Sequence, residues 1–277
     1  MMNKKKTDIS SLVLRWCMRM SIIITLGIVL GLIAYIVIRG VPNLRTEMFQ
    51  WKYTPENQSM MPSLINTGIM ILVTLAIALP VGIGAAVYLT EYSKQNSKLV
   101  QMIRITTETL SGIPSIVFGL VGFLVFVIAL GWQYSLIAGA MTLAFMVLPL
   151  IIRTTEEALL GVPMSYREAS FGLGAGKVRT IFRVILPAAV PGILAGVILS
   201  IGRIVGETAA LIFTAGTVAQ VPDSVFDSTR TLSVHMYSLI CEGLHMDAAY
   251  ATAVVLMVLV VVINFVSGLI AKKISKN

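Results

Sequence analysis

Residues 168–187 read EASFGLGAGKVRTIFRVILP, a basic, glycine-rich segment between long apolar runs. Glu168, Ala169 and Ser170 come first, Gly174 follows after three residues, and Val184-Ile185-Leu186-Pro187 closes the segment after nine more. Pro163 and Ser165 just ahead predict a helix entry, since Ser caps exposed backbone N–H groups. Glu168-Ala169-Ser170 then form a short helix, which Gly172, Gly174 and Gly176 end with a turn. Small side chains at Ala169 and Ser170 let such a helix press into a partner's groove, and Glu168 can pair with a basic group there. A solvated loop with no partner is the alternative.

The flanking sequence makes this segment a connection between membrane spans. The chain has 277 residues, of which 57% are hydrophobic and 12% charged, and its mean hydropathy is +0.89. A soluble domain carries about 25% charged residues. Apolar runs of the roughly 20 residues that cross a bilayer recur along the chain. Six spans fit them: Met20–Ile38, Thr67–Thr90, Ser111–Leu130, Tyr134–Ile152, Ala188–Thr217 and Ala248–Ala271. The third and fourth form one uncharged stretch that must fold back, with Gly131-Trp132-Gln133 as the turn. No alternating pattern suggests a barrel. The expected fold class is therefore all-α and polytopic. An N-terminal segment (1–19) precedes the first span and its loop (20–66). A core of five spans follows (67–271), carrying the polar loop 163–187, and the chain ends in a short tail (272–277).

The positive charges orient the chain. Lys4, Lys5, Lys6, Arg15 and Arg19 precede the first span; Lys94, Lys98 and Arg104 lie in the second connection. Arg167, Lys177, Arg179 and Arg183 are in the fourth connection, and Lys272, Lys273 and Lys276 end the chain. Only Arg39, Arg45, Lys52 and Arg230 fall on the other side. The positive-inside rule then predicts cytoplasmic termini and a cytoplasmic Glu168 loop. A net charge of +8 distributed in this way serves topology, and argues against a nucleic-acid partner. The apolar run after MMNKKK is too long for a signal peptide and has no small-x-small site behind it, so it reads as a retained helix. Cys17 and Cys241 fall on opposite predicted sides and read as ordinary thiols.

Gly172–Lys177, GLGAGK, imitates a phosphate-binding loop. A P-loop needs Gly where Phe171 stands and Ser or Thr where Val178 stands. Nucleotide chemistry would have to come from a partner. His235 and His245 have no metal-ligand spacing, and no cofactor is implied. Arg203, near the middle of the fifth span, is costly in lipid, and Glu207 lies one turn on, where a partial ion pair is available. The planar guanidinium fork suits tetrahedral oxyanions. Arg203 therefore either meets an anion in transit, with Glu207 tempering its charge, or forms a structural pair. Arg153 ends the fourth span beside Glu156 and Glu157; topology is its simplest reading, and an anion contact the alternative. Ser111 to Ser115 open the third span as capping residues or as an anion-facing helix start. Gly192, Gly196 and Ser200, with Gly202 and Gly206, make a small-residue stripe for close helix packing or for lining a pathway.

These segments resemble the PstA permeases of bacterial phosphate ABC importers. The loop follows EAA-x3-G-x9-I-x-LP, where ABC importer permeases grip a cytoplasmic ATPase, with Ser170 replacing the second Ala and Val184 replacing Ile. SGIPSIVFGL at Ser111–Leu120, RTTEEAL at Arg153–Leu159 and GRIVGETAAL at Gly202–Leu211 also carry the likeness, and the last of them narrows it to phosphate. The resemblance implies a six-helix type I permease fold and a heterodimer with the related permease PstC. It also implies two copies of the ATPase PstB and delivery of inorganic phosphate by the binding protein PstS. It assigns Arg153 and Arg203 to phosphate uptake, and Glu168, Ala169, Ser170 and Gly174 to ATPase coupling, with no catalytic residues in the chain itself. A permease for molybdate or sulfate, a PstC-type subunit and a non-transporting signalling scaffold are the alternatives.

Overall fold

A computed structural model of the chain describes residues 9–93 and 97–274. Lys4, Lys5, Lys6, Lys94 and Lys276, counted above towards orientation, lie outside the described residues. Among those described, regular structure is entirely helical. Helix α1 spans Ile9–Gly40. Helix α2 spans Met61–Val87 and runs on through a wider turn at Tyr88–Tyr92. Helix α3 covers Lys98–Ser111, and α4 covers Ser115–Gly122 and continues through Phe123–Ala129. Next come α5 (Leu136–Leu160), α6 (Met164–Gly172) and α7 (Lys177–Thr180), which passes through Ile181–Ile185 into α8 (Leu186–Gly206). The chain closes with α9 (Ala209–Thr214), α10 (Leu232–Glu242) and α11 (Met246–Ile274).

Five helices are long and apolar enough to cross a membrane, and a sixth span arises if α3 and α4 count together across their 102° bend. That bend corrects the third expected span. Pro114 has no N–H and disfavours helical geometry at Ile113, so α3 stops at Ser111 and the apolar helix restarts at Ser115. The Ser111 hydroxyl donates to the Glu108 carbonyl (2.7 Å) inside α3 and caps nothing in the span. The start of α3 is capped by Ser97 instead, whose hydroxyl accepts from the Val100 N–H (3.3 Å).

The fifth expected span is also redrawn. Its membrane helix begins at Lys177, inside the polar loop, and ends at Gly206, because the backbone turns extended at Glu207 (φ −73°, ψ 127°). The apolar residues beyond that break form the separate α9.

Helix α5 is the centre of the bundle, touching α2 on one flank and α8 on another. Met70, Leu75, Leu143, Met146, Val147, Ile151, Ile204 and Leu211 form the main buried cluster between these helices and α9. Helix α1 leaves most of its side chains exposed and touches α11, where Tyr35 and Tyr250 share a hydrogen bond (3.1 Å). An apolar exterior is what a lipid-facing span needs, since every backbone group is already paired within the helix.

The small-residue stripe divides by face. A Cβ on Gly192 would meet Ala158 Cβ at 2.6 Å, and one on Gly196 would strike Thr154, so this face seats α8 on α5. Around Gly202 and Gly206 the space is open. Another close approach is at Gly119 of α4, where a Cβ would lie 2.7 Å from the Ala210 Cα on α9. Backbone cannot yield as a flexible side chain can. Gly119→Ala should therefore destabilise the protein by about 1–3 kcal/mol, read as a lower thermal midpoint in detergent, whereas Gly202→Ala should leave that midpoint unchanged.

Candidate functional site

The Glu168 loop folds as a helix, a tight turn and a second helix. Pro163 precedes α6, Leu173 donates to the Ala169 carbonyl (3.1 Å), and Ala175 donates to the Ser170 carbonyl (3.1 Å). Gly174 makes the reversal at φ +80°, in the left-handed region open to glycine. Glu168 and Ala169 face solvent. Ser170 departs from the expected outward role: it is buried, and its hydroxyl pairs with that of Thr180 (2.9 Å), clamping α6 to α7. Beside the exposed Glu168, Lys177 and Arg179, the loop presents large apolar side chains outward. Leu173 at its tip is 90% exposed, with Phe171, Val178 and Phe182 also exposed. Large apolar side chains exposed on a polar loop mark a protein contact, and sequence inspection that followed small residues and Glu168 passed over them.

The loop is tied to the bundle by a residue read earlier only as a topology charge. Arg167 donates through Nη2 to Glu91 Oε1 (2.7 Å) and to the Leu159 carbonyl (3.1 Å), and through Nη1 to the Val162 carbonyl (2.9 Å). Both side chains are largely buried, at 13% and 11% exposure. Glu91 lies in the wide turn that ends α2, and Leu159 ends α5. One guanidinium thus joins α6 to two spans. Lys177 sits over the Tyr92 ring (4.7 Å) beside it.

Deeper in the bundle, the arginines differ in what they hold. Arg104 of α3 grips Glu156 of α5 through Nε (2.9 Å) and Nη2. Arg153 is exposed and pairs with Glu157 (3.0 Å) rather than Glu156. Arg203 is half-buried on α8, and among the described residues no carboxylate pairs with it. The expected Arg203–Glu207 pair does not form. Because α8 stops at Gly206, Glu207 leaves the helical face, and its Oε1 accepts from the Ala210 N–H (3.0 Å) instead. The buried carboxylate caps the chain break, and Arg203 keeps a free fork. Arg153 and Arg203 stand at different levels of two packed helices. Thr154 packs at Gly196, and Arg203 lies seven residues further along α8, about 10 Å at 1.5 Å per residue. They are successive positions along two packed helices.

Residues 78–276 match the family described as binding-protein-dependent transport system inner membrane component. The chain belongs to that family. It is 35% identical over 273 residues to the probable ABC transporter permease protein YqgI of Bacillus subtilis (strain 168), covering 91% of this chain and 92% of that one. It is 35% identical over 201 residues to the phosphate transport system permease protein PstA 1 of Mycobacterium tuberculosis (strain CDC 1551 / Oshkosh), covering 72% of this chain and 66% of that one. A chain of the bacterial alginate ABC transporter, solved with an alginate-bound periplasmic protein, superposes with a TM-score of 0.72 over 99% of both chains at 16% identity. At that identity the likeness is one of fold: that of an ABC importer permease.

The permease also buries a histidine at the end of the bundle away from α6. His235 lies in α10, outside the spanning helices. Burial first, and the charge of Arg230 second, push its pKa down from 6.5 to about 3. The unfolded chain binds this proton below about pH 6.5 and the folded chain does not, so stability falls as pH drops through that window and is constant above it. At pH 5 the loss is about 2 kcal/mol. Thermal midpoints at pH 7.5 and 5.0 should therefore diverge more for the wild type than for His235→Gln.

Proposed function

We propose that this ABC importer permease subunit carries inorganic phosphate across the membrane, forming half of the pathway with a PstC-type partner. Arg203 carries the reading: an arginine in a spanning helix, without an ion-pair partner among the described residues, whose fork of donors fits a tetrahedral oxyanion. Likeness to PstA proteins supports phosphate in particular. Arg153 and Arg203 stand in succession along the path, Arg153 with its charge shared by Glu157. Glu207 acts by holding the backbone break that lets Arg203 point free. A pathway needs sites weak enough to release, and separate single arginines meet that need better than a cluster.

In this reading the termini and α6 are cytoplasmic. The buried position of Arg230 strengthens the charge bias, since it removes one cation from the outer surface. Two PstB-type ATPase subunits hydrolyse ATP, and each permease meets one through α6, with Glu168 and Ala169 on the face, Gly174 shaping the turn and Leu173 as an apolar knob. Ser170 serves the same docking from inside, by holding α6 on α7. A PstS-type binding protein delivers phosphate from outside. Closure of the ATPase pair draws the α6 helices together and opens the pore outward; hydrolysis returns it. Each ligand shifts this equilibrium only by its differential affinity for the two states.

The test is ATP-dependent phosphate uptake into proteoliposomes holding both permeases, the ATPase and the binding protein, with molybdate and sulfate as competitors. Uptake that needs ATP and resists both competitors is the expected result. ATP hydrolysis without phosphate uptake would keep the importer assignment and overturn the substrate.

A further inference from the structure

Polar groups are buried together at the outer end of the bundle. Ser63 and Asn66 of α2, Thr229 and Arg230 before α10, and His235 within it are all buried, and each has a polar atom with no hydrogen-bond partner within the chain. They meet at one junction. Asn66 Nδ2 donates to the Arg230 carbonyl (3.2 Å), and the Leu232 N–H donates to Thr67 Oγ1 (2.9 Å). Arg230 is 4% exposed, Nε and Nη2 have no acceptor, and no carboxylate pairs with it among the described residues. The Tyr53 side chain and the charge of Glu242, beyond ion-pair distance, offset only part of the cost of burying this guanidinium, and its unpartnered N–H groups can serve a ligand.

The junction also carries a free acceptor. Asn66 Nδ2 is committed to two carbonyls, of Gln220 (2.8 Å) and Arg230, which fixes the amide orientation and leaves Oδ1 unpartnered. Unpartnered donors and an unpartnered acceptor at one junction suit a protonated oxyanion, whose P–OH group donates while its charged oxygens accept. Sulfate and chloride have nothing to donate.

A cap covers Arg230. The Tyr53 ring lies 4.7 Å from its guanidinium carbon, and the Tyr53 hydroxyl donates to Gln58 (3.1 Å). Gln58 is held at φ 45°, a strained left-handed conformation for a side chain of its size. Outside the cap is a pocket of about 260 Å³ lined by Gln58, Arg45 and His245. Its carboxylates Glu47, Glu56 and Asp247 repel anions, so the anion chemistry resides in the guanidinium behind. Inward, the Ser233 hydroxyl donates to the Glu207 carbonyl (2.6 Å), joining α10 to the break one turn beyond Arg203.

We propose that Arg230, with Ser63, Asn66 and Thr229, forms an outer station for a protonated oxyanion, uncovered when residues 53–59 lift, which hands the anion on to Arg203. The proposal rests on the phosphate reading above. Arg230→Gln should raise the phosphate concentration for half-maximal uptake about tenfold, the loss of a charge-assisted hydrogen bond. In the purified complex it should also abolish the rise in thermal midpoint that phosphate, and not sulfate or chloride at equal ionic strength, gives the wild type. A purely structural role for Arg230 would lower the midpoint and leave the phosphate-dependent rise intact. Thr229→Val, which keeps the guanidinium, provides the same two readouts if Arg230→Gln does not fold. Equal rises with chloride, or unchanged concentration dependence in both variants, would overturn the station while wild-type uptake upholds the phosphate reading. Wild-type vesicles that take up no phosphate would instead fail that reading.

Discussion

Arg203→Gln abolishes phosphate uptake and leaves the folded complex and its ATPase docking in place: this is the largest effect expected of any single substitution. The expectation follows from what Arg203 lacks. Arg104, Arg153 and Arg167 each hold a carboxylate of the chain, and replacing Arg104 or Arg167 strands one that is largely buried. Arg203 holds none, and Glu207, the obvious candidate, is engaged with the Ala210 N–H. Removing its charge therefore relieves a cost of about 3 kcal/mol on insertion scales without orphaning a partner. An anion would lose a charge-assisted contact of up to about 3 kcal/mol, or roughly a hundredfold in rate. Uptake should fall by that factor or more, with an unchanged or higher thermal midpoint. Arg203→Lys keeps the charge and loses the fork, and should recover part of the rate. Uptake at the wild-type rate by Arg203→Gln would remove the residue from the pathway.

Arg167→Leu should uncouple hydrolysis from uptake. The substitution strands the buried Glu91 carboxylate and frees the carbonyls of Leu159 and Val162 that Arg167 now satisfies. Breaking a buried pair from one side costs about 3 kcal/mol or more. That loss falls on the joint through which α6 pulls on α2 and α5. Helix α6, the proposed coupling helix, keeps its Glu168 face and its clamp at Ser170 and Thr180, so ATPase docking and turnover are expected to persist. Phosphate moved per ATP consumed should drop at least tenfold. Arg167→Leu combined with Glu91→Leu leaves no charge stranded, and should regain stability without regaining coupling. If the single variant keeps the wild-type ratio, the joint is a fold contact only.

The chain made its helices and their order legible because bilayer spans write themselves as long apolar runs. The polar loop was legible for a related reason: glycines and charges have no other use between such runs. Gly174 took the left-handed turn expected of it, and the loop formed the short helix its residues predicted. The chief misreading fell where apolar composition continues through a change of backbone direction. Pro114 turns the chain by 102° where the polar α3 meets the apolar α4, a boundary that composition marks, whereas Glu207 breaks a run that stays apolar into α9. The i,i+4 argument for an Arg203–Glu207 pair failed for that reason: it presumes a helix that ends at Gly206.

What the sequence by itself determined was the class: an all-helical, membrane-spanning chain with one polar, glycine-rich loop and a solitary arginine in a span. Those properties depend on composition and local order, which each segment carries alone. The tertiary structure decided which charges are spent and which are free. Arg167 finds Glu91, 76 residues away; Arg104 finds Glu156, 52 away; and Arg230 is folded under Tyr53 with no carboxylate to meet it. Ion pairing depends on distances of a few ångströms between segments far apart in the chain. Only packing sets those distances, and so only packing leaves Arg203 and Arg230 without a paired carboxylate among the described residues.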